Sequence, residues 1–435
     1  MDTLFASSNS MISILATVFT GILAAYVLLR TLLNLTQDVK EPPAIGSAIP
    51  FISPAIDLWR KGSNYWKGPQ SISFVPVTVR MHSTLMKLSP PTNQMISKDA
   101  LENNGAVFGT PKVFHPTLSP GPQLNTLNRK SVQVIAASLS KFATSGSSMI
   151  NLFEWVSLQV LAATTESVYG PQNPFRDPAI VAIRLKYEAG IIPLMVDVLP
   201  RLSARPYVQA REALVQSFVR YYQEEGPKSP EASPLIQAHY KVHSSAGIPL
   251  EDIARLDVAI SVAIISNAMP ASFWLIYHIF SDPVVLEDCR KELSGGVKTQ
   301  DGIHRIDIDY VKNRCPIFVS TFQETFRIHS TSVVSCVVLE DHLLNGQYLL
   351  KKGGIVLIPA SVQHRLEAAW GPDVDKFYHK RFLRETRGKR YNPVAFRAFG
   401  GGSTLCPGRH FAAIEILAFA ALITLRFDAR PPNGL

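Results

Sequence analysis

Twenty-three consecutive residues, Val258 to Phe280, carry no charge, and such a segment has to be enclosed on every side. Lipid or a large apolar interior can do this. Length alone nominates a membrane span. Yet Ser261, Ser266, Asn267, Pro270, Ser272 and His278 interrupt the run, and charged segments flank it on both sides. Spans seldom hold so many polar groups without a membrane function. The segment therefore reads as the buried central helix of a body large enough to wrap it. The 435 residues supply that body, with 46% hydrophobic and 18% charged residues excluding a disordered or collagen-like chain. Pro270 lacks an N–H, so the Ser266 carbonyl loses its helix partner and a kink is expected beside Asn267.

A second uncharged run lies at the N-terminus. Between Asp2 and Arg30 there is no charge, and Met11 to Leu29 is a mostly apolar stretch of 19 residues. That is long enough to cross a bilayer core of about 30 Å. No Lys or Arg precedes it and it exceeds a typical signal-peptide core, so a retained single-pass anchor is the reading. Arg30, Lys40, Arg60 and Lys61 follow the span, which puts the bulk of the chain on the cytosolic side. Residues 1–36 are taken as the membrane anchor and 37–56 as a proline-containing hinge through Pro42, Pro43 and Pro50. Residues 57–435 form the body.

Helical spacing of apolar positions marks Leu152–Ser167 and Tyr207–Tyr222. Short strands are expected near Val333–Leu339, Gln347–Leu350 and Ile355–Ile358, bounded by Asn345-Gly346 and Gly353-Gly354. A further strand-like piece is Phe74–Val79. The fold is thus mainly α with a small β part. The net charge of +9 suits an anionic membrane or an acidic partner. Nucleic acid is not expected, because no long basic run is interleaved with aromatics. Cys289, Cys315, Cys336 and Cys406 are too few and scattered for a disulfide scaffold or a zinc site.

Chemistry concentrates near the C-terminus. Phe399-Gly400-Gly401-Gly402-Ser403-Thr404-Leu405-Cys406-Pro407-Gly408 is a glycine-rich loop that delivers one Cys to the start of an apolar helix. Pro407 suits a first helical position. The backbone amides that follow point back at the sulfur, and the helix dipole is expected to lower the thiol pKa. Taken alone, this arrangement serves a buried Cys at a helix cap as well as a nucleophile or a metal ligand.

The spacing Phe399-x-x-Gly402-x-x-x-Cys406-x-Gly408 resembles the haem-binding loop of the cytochrome P-450 superfamily. Glu324-Thr325-Phe326-Arg327 matches that family's Glu-x-x-Arg, and Phe377–Phe382 resembles its Phe-x-Pro-x-Arg-Phe with His379 in the Pro position. The resemblance implies a cytochrome P-450 fold behind an N-terminal transmembrane helix. It makes Cys406 the proximal ligand of haem b iron, with Phe399, Gly402 and Gly408 shaping the haem loop. It also implies a structural triad of Glu324, Arg327 and Arg381. Members usually carry Arg or His two residues before the Cys for a haem propionate. Thr404 stands there instead, so Arg129 and His410 are the candidates to compensate.

The central helix is more specific. Asn267-Ala268-Met269-Pro270-Ala271-Ser272-Phe273-Trp274 is similar to the corresponding helix of sterol 7α-hydroxylases, sterol 12α-hydroxylases and prostacyclin synthase. Met269-Pro270 stand where most monooxygenases of the family present an acid and a Thr, and neither can donate a proton. Asn267 is then the candidate catalytic group over the haem. The resemblance implies a monooxygenase in the endoplasmic reticulum membrane. It would use dioxygen and NADPH-derived electrons from an NADPH–cytochrome P-450 reductase on a bulky apolar substrate, a sterol, terpenoid or other secondary metabolite. Lys380, Arg381, Arg384, Arg387, Lys389 and Arg390, offset only by Glu385, give a local +5 suited to docking such a reductase. Two alternatives stand beside it. One is a haem-thiolate isomerase or dehydratase that takes a peroxide without a reductase. The other is a truncated inactive member, since only 29 residues follow Cys406 and the stretch after Trp66 looks abbreviated.

Overall fold

The computed structural model describes residues 2–38, 40–42, 85–102, 113–144, 146, 149–196, 204–300, 303–383, 393–401 and 405–430. Its longer helices are α1 (Asp2–Thr36), α2 (Pro90–Glu102), α3 (Pro122–Ala143), α4 (Leu152–Tyr169), α5 (Pro178–Ala189), α6 (Arg205–Gln223), α7 (Pro234–Ser245), α8 (Leu250–Ile265), α9 (Ala268–Ser281), α10 (Pro283–Ser294), α11 (Pro316–His329) and α12 (Arg409–Arg426). The strands are β1 (Val297–Gln300), β2 (Ile303–Ile306), β3 (Val333–Val337), β4 (His342–Leu344), β5 (Tyr348–Leu350) and β6 (Ile355–Pro359), paired as β1–β2, β3–β6 and β4–β5. The protein is mainly helical, as expected. Two compact units are present, one of residues 1–76 with 335–359, the other of residues 77–334 with 360–435.

Local chemistry explains where many of the helices begin. The Asp177 carboxylate accepts from Ala179 N at 2.8 Å and Asp282 accepts from Val284 N at 2.8 Å, each followed by Pro at the first helical position. Ser233-Pro234 starts α7 in the same way. Such caps satisfy amides that the first turn leaves free and contribute about 1 kcal/mol apiece.

In the larger unit the uncharged segment is the spine. It runs as α8 and α9 with a break at Ser266–Asn267, where the sequence places the kink, four residues before Pro270. α8 packs on α6, while α9 packs on α4, α11 and α12, so one face of this segment is covered by other helices of the body. Val258, Ile265, Leu275 and Ile279 are fully or almost fully buried along it, as are Leu214 and Phe218 on α6. Burial of each such large side chain contributes about 1.5–3 kcal/mol.

In the smaller unit α1 carries an apolar stretch, Ala16–Leu33, none of which is buried. At 1.5 Å per residue it extends about 27 Å. The hairpin β4–β5 turns through Asn345 and Gly346 at φ 53° and 70°, the left-handed geometry that Asn-Gly favours. β4 and the β1–β2 hairpin are absent from the sequence expectation, and β3 ends two residues earlier than expected. Three- and four-residue strands are too short to show a period. The Phe74–Val79 strand and most of the 37–56 hinge lie outside the described residues.

Candidate functional site

Cys406 sits two residues before Gly408, which is the N-cap of α12. The Cys406 N–H donates to the Phe399 carbonyl at 2.8 Å, closing the loop on itself. Gly400, at φ 80°, makes the turn that a side chain would resist. Phe399 is half-buried and its ring lies 5.0 Å from that of Phe326 on α11. The amides of Gly408 and Arg409 bond to the Cys406 sulfur, and the Arg409 guanidinium donates to the Cys406 carbonyl at 3.0 Å. A Cβ on Gly408 would touch the sulfur at 3.8 Å.

The thiol pKa departs from the sequence expectation. Burial pushes the Cys406 thiol up, and the amides of Gly408 and Arg409 with the Arg409 charge pull it back only in part. Helix-start donors favour a thiolate, but here desolvation is larger, so a positive partner at the sulfur is needed to hold the charge. Cys289 and Cys315 are fully buried, with thiols pushed up to about 12 and about 11 by burial. Neither has the amide donors of Cys406.

Gly402 and Thr404 lie outside the described residues. His410 is half-buried in the first turn of α12, and burial, then the Arg409 and Lys312 charges, lower its pKa. Arg129 is exposed on α3. A cation that the sequence analysis missed is Arg397. Its guanidinium lies across Gly401, where a Cβ would come within 2.3 Å of Nη1, and its buried Nε has no partner. The missing side chain at Gly401 is the only signal of that approach.

Glu324, Arg327 and Arg381 lie together and are almost completely buried. Glu324 accepts from Arg327 Nε at 2.7 Å and Nη2 at 2.8 Å, and from Arg381 Nε at 2.9 Å. Arg327 also donates to the carbonyls of His364 and Val374, at 2.9 and 2.7 Å. Arg381 is bridged to Asp373 as well. One carboxylate thus ties α11 to the segment that leads into the Cys loop. His379, in place of Pro, pairs with Asp288 at 2.9 Å, and Lys380 pairs with the same carboxylate at 2.7 Å. Two of the basic charges meant for docking, Lys380 and the buried Arg381, are therefore engaged. Arg384, Arg387, Lys389 and Arg390 lie outside the described residues.

Asn267 is exposed at the break between α8 and α9, one turn beyond the exposed Ala263. Its side chain makes no capping bond. Met269 is buried, 4% exposed, so it is turned into the core. Beside Asn267, the Ser266 hydroxyl accepts from Arg184 Nη2 at 2.7 Å. Arg184, on α5, is fully buried and paired with Glu188 at 2.6 Å. This tie between α5 and the helix break has no sequence signature.

A helical body in which a glycine-rich loop presents one amide-bonded Cys at a helix start, with a broken central helix and an interlocked Glu-Arg-Arg set, has the arrangement that the sequence resemblance led one to expect. The Cytochrome P-450 family model matches residues 190–434, more than half of the chain, and the chain belongs to that family. It is 33% identical over 326 residues to the cytochrome P-450 monooxygenase nodJ of Hypoxylon pulicicidum, covering 72% of this chain and 63% of that protein. A cytochrome P-450 monooxygenase of Gibberella zeae is 24% identical over 434 residues, 92% of this chain and 83% of the relative. The cholesterol 7-alpha-monooxygenase of Cricetulus griseus is 29% identical over 192 residues, 40% of this chain and 38% of its own length. Among solved structures, the retinoic acid-bound cyanobacterial CYP120A1 superposes with a TM-score of 0.63 at 16% identity, covering 85% of this chain and 81% of that one, which shows the fold.

Proposed function

We propose that the chain is a membrane-anchored haem-thiolate monooxygenase that oxidises a bulky apolar small molecule such as a sterol, a terpenoid or another secondary metabolite. The observation that carries the reading is Cys406, half-buried between a glycine-rich turn and a helix start, with two amides on its sulfur. Haem b bound there supplies the redox-active iron, and a thiolate ligand pushes electron density that favours O–O cleavage.

The chain's own residues divide the remaining work. Cys406 would ligate the iron, with Gly408 and Arg409 amides holding sulfur charge and Phe399 shielding it. Arg397 as a guanidinium and His410 as a neutral imidazole N–H donor are candidates next to the Cys loop to take a propionate, and Arg129 is the third candidate. Glu324, Arg327 and Arg381 hold the loop's approach in register. Asn267 would be the polar group at the helix break, and Met269-Pro270 leave no acid–Thr pair to move a proton. Substrate would be held by shape and apolar contact, as the names of the sterol-hydroxylating relatives suggest.

Anchoring through α1, with the body on the cytosolic side of the endoplasmic reticulum, fits an apolar substrate drawn from the membrane. Electrons would come from NADPH through a reductase docked on the basic run after Lys380. The test is turnover of a sterol and terpenoid panel by the full chain with reductase, NADPH and isotope-labelled dioxygen. Label in a reductase-dependent product is expected. The missing acid–Thr pair favours one competing reading, a peroxide isomerase. Conversion of a hydroperoxide without reductase, and without label, would replace the monooxygenase by that isomerase.

A further inference from the structure

The geometry points to a binding site at the helix break for an oxygen that the substrate already carries. The Ser266 hydroxyl, aimed by Arg184 and flanked by the Asn267 amide, donates to a neutral carbonyl or hydroxyl oxygen on the bulky apolar molecule. This rests on the monooxygenase reading above and narrows its substrate class. Ser266 and Asn267 keep right-handed helical dihedrals, φ −61° and ψ −28° then φ −89° and ψ −32°, so the faces of the central helix continue through the break. On one side Ser261, Ile265, Ala268 and Met269 are buried. On the other, Ala263 and Asn267 are exposed, and Ser266 and Pro270 are half-buried. Positions 263, 266, 267 and 270 have the spacing of one helix face. The polar groups of the break therefore lie on the open side of a core helix, within reach of a ligand.

The bonding of Ser266 fixes what it can offer. Its Oγ accepts from Arg184 Nη2 at 2.7 Å, so its own proton has to point elsewhere. Other helical hydroxyls turn back to the carbonyl four residues earlier, as Thr165 does to Leu161 and Thr424 to Ala420. Among the described residues, no acceptor takes the Ser266 proton. Pro270 also withholds the N–H that would bond the Ser266 carbonyl. A donor and an acceptor of one residue thus stand beside Asn267, whose side chain makes no capping bond. Arg184 occupies a place where an apolar residue is expected, between Ile180 and Tyr187 on the buried stripe of α5. It pairs with Glu188 at 2.6 Å, and its buried Nε has no partner among the described residues. A buried ion pair with a donor left over is a weak source of stability. What Arg184 supplies is direction, because holding Oγ aims the O–H. Being fully buried, it acts through Ser266 as a positioning residue. Glu188 balances its charge, so the site favours a neutral oxygen over a carboxylate.

The test uses the purified full chain with haem and two skeletons, androstane and adamantane, each as the hydrocarbon, a ketone and a carboxylate. Equilibrium dialysis gives the affinities, independently of turnover. On at least one skeleton the ketone should bind about tenfold more tightly than the hydrocarbon, the factor that one hydrogen bond of about 1.4 kcal/mol supplies. Ser266→Ala should remove that preference, Ser266→Thr should retain it, and Arg184→Met should weaken it with Ser266 intact. Ketones that bind no better than their hydrocarbons on either skeleton, including no binding at all, would overturn the site. So would a preference that Ser266→Ala leaves untouched. Tightest binding of the carboxylates would overturn its neutral character. Ketone preference in a protein that forms no isotope-labelled product upholds the site and removes the monooxygenase, whereas labelled product without the preference does the reverse.

Discussion

Glu415 lies on α12, nine residues beyond Cys406, and is 1% exposed. Among the described residues its carboxyl bonds to hydroxyls alone: Ser131 on α3 at 2.6 Å and Thr164 on α4 at 2.9 and 3.0 Å. Burial pushes its pKa from 4.5 up to about 7, and those two hydroxyls offset only part of that. Because the folded-state value is raised, the neutral carboxyl contributes stability fully below about pH 4.5, and that contribution is lost as pH rises through about 7. A rise from 4.5 to about 7 corresponds to roughly 3 kcal/mol of stability lost between those limits. Glu415→Gln is neutral at every pH and keeps an amide for the same hydroxyls. Allowing about 1 kcal/mol for a poorer hydrogen bond, it should be the more stable protein at pH 8 by about 2 kcal/mol and slightly the less stable at pH 5. Urea unfolding followed by circular dichroism from pH 5 to 8 gives the comparison. Buried histidines such as His278 and His364, held down to about 4 by burial, titrate equally in both proteins and cancel in the difference. A difference curve that is flat across this range would refute the assignment of an uncompensated buried carboxyl.

Cys406→Ser should abolish the red-shifted Soret band of the reduced protein under carbon monoxide, whereas Cys289→Ser and Cys315→Ser retain it; the reverse pattern would move the ligand elsewhere. Arg327→Ala should lose haem incorporation together with stability, on the order of 3–5 kcal/mol, because the buried Glu324 loses the guanidinium that holds both its oxygens and keeps only Arg381 as a cation. Full haem content with lost turnover would instead give Arg327 a chemical role. Reductase-dependent turnover should slow with salt as the Debye length falls from about 10 Å at 0.1 M to about 3 Å at 1 M, and salt-independent kinetics would count against docking on the basic run.

The Cys loop and the helix break are legible in the sequence because each is fixed by local covalent chemistry. Glycines permit the turn at Gly400, Pro407 opens a helix, and Pro270 removes a hydrogen bond four residues back. Periodicity likewise marks α4 and α6, since a buried stripe recurs every turn. The polar ties are different. Arg184 meets Ser266 across 82 residues, Glu415 meets Ser131 across 284, and Arg381 meets Glu324 across 57. No spacing rule connects such pairs, and only the family resemblance suggested the last. Strands of three residues and the side chain of Arg397 over Gly401 were equally silent.

Those silent contacts nonetheless bear on function more than their number suggests. An apolar stripe decides which face of a helix turns inward, but a row of leucines and valines constrains sliding along the axis only through shape. A hydrogen bond between fixed atoms penalises displacement much more steeply, because a stranded buried donor or charge costs its full desolvation. Three places at the candidate site carry such bonds: α12 through Glu415, α11 through Arg327, and the α8–α9 break through Arg184 on Ser266. The first sets how far α12, and with it Cys406, stands along α3 and α4. The second fixes the segment leading into the Cys loop. The third fixes the turn that exposes Asn267. The relative placement of the Cys loop and the helix break is therefore set by polar contacts between residues remote in sequence, while the apolar pattern sets the fold that brings them near.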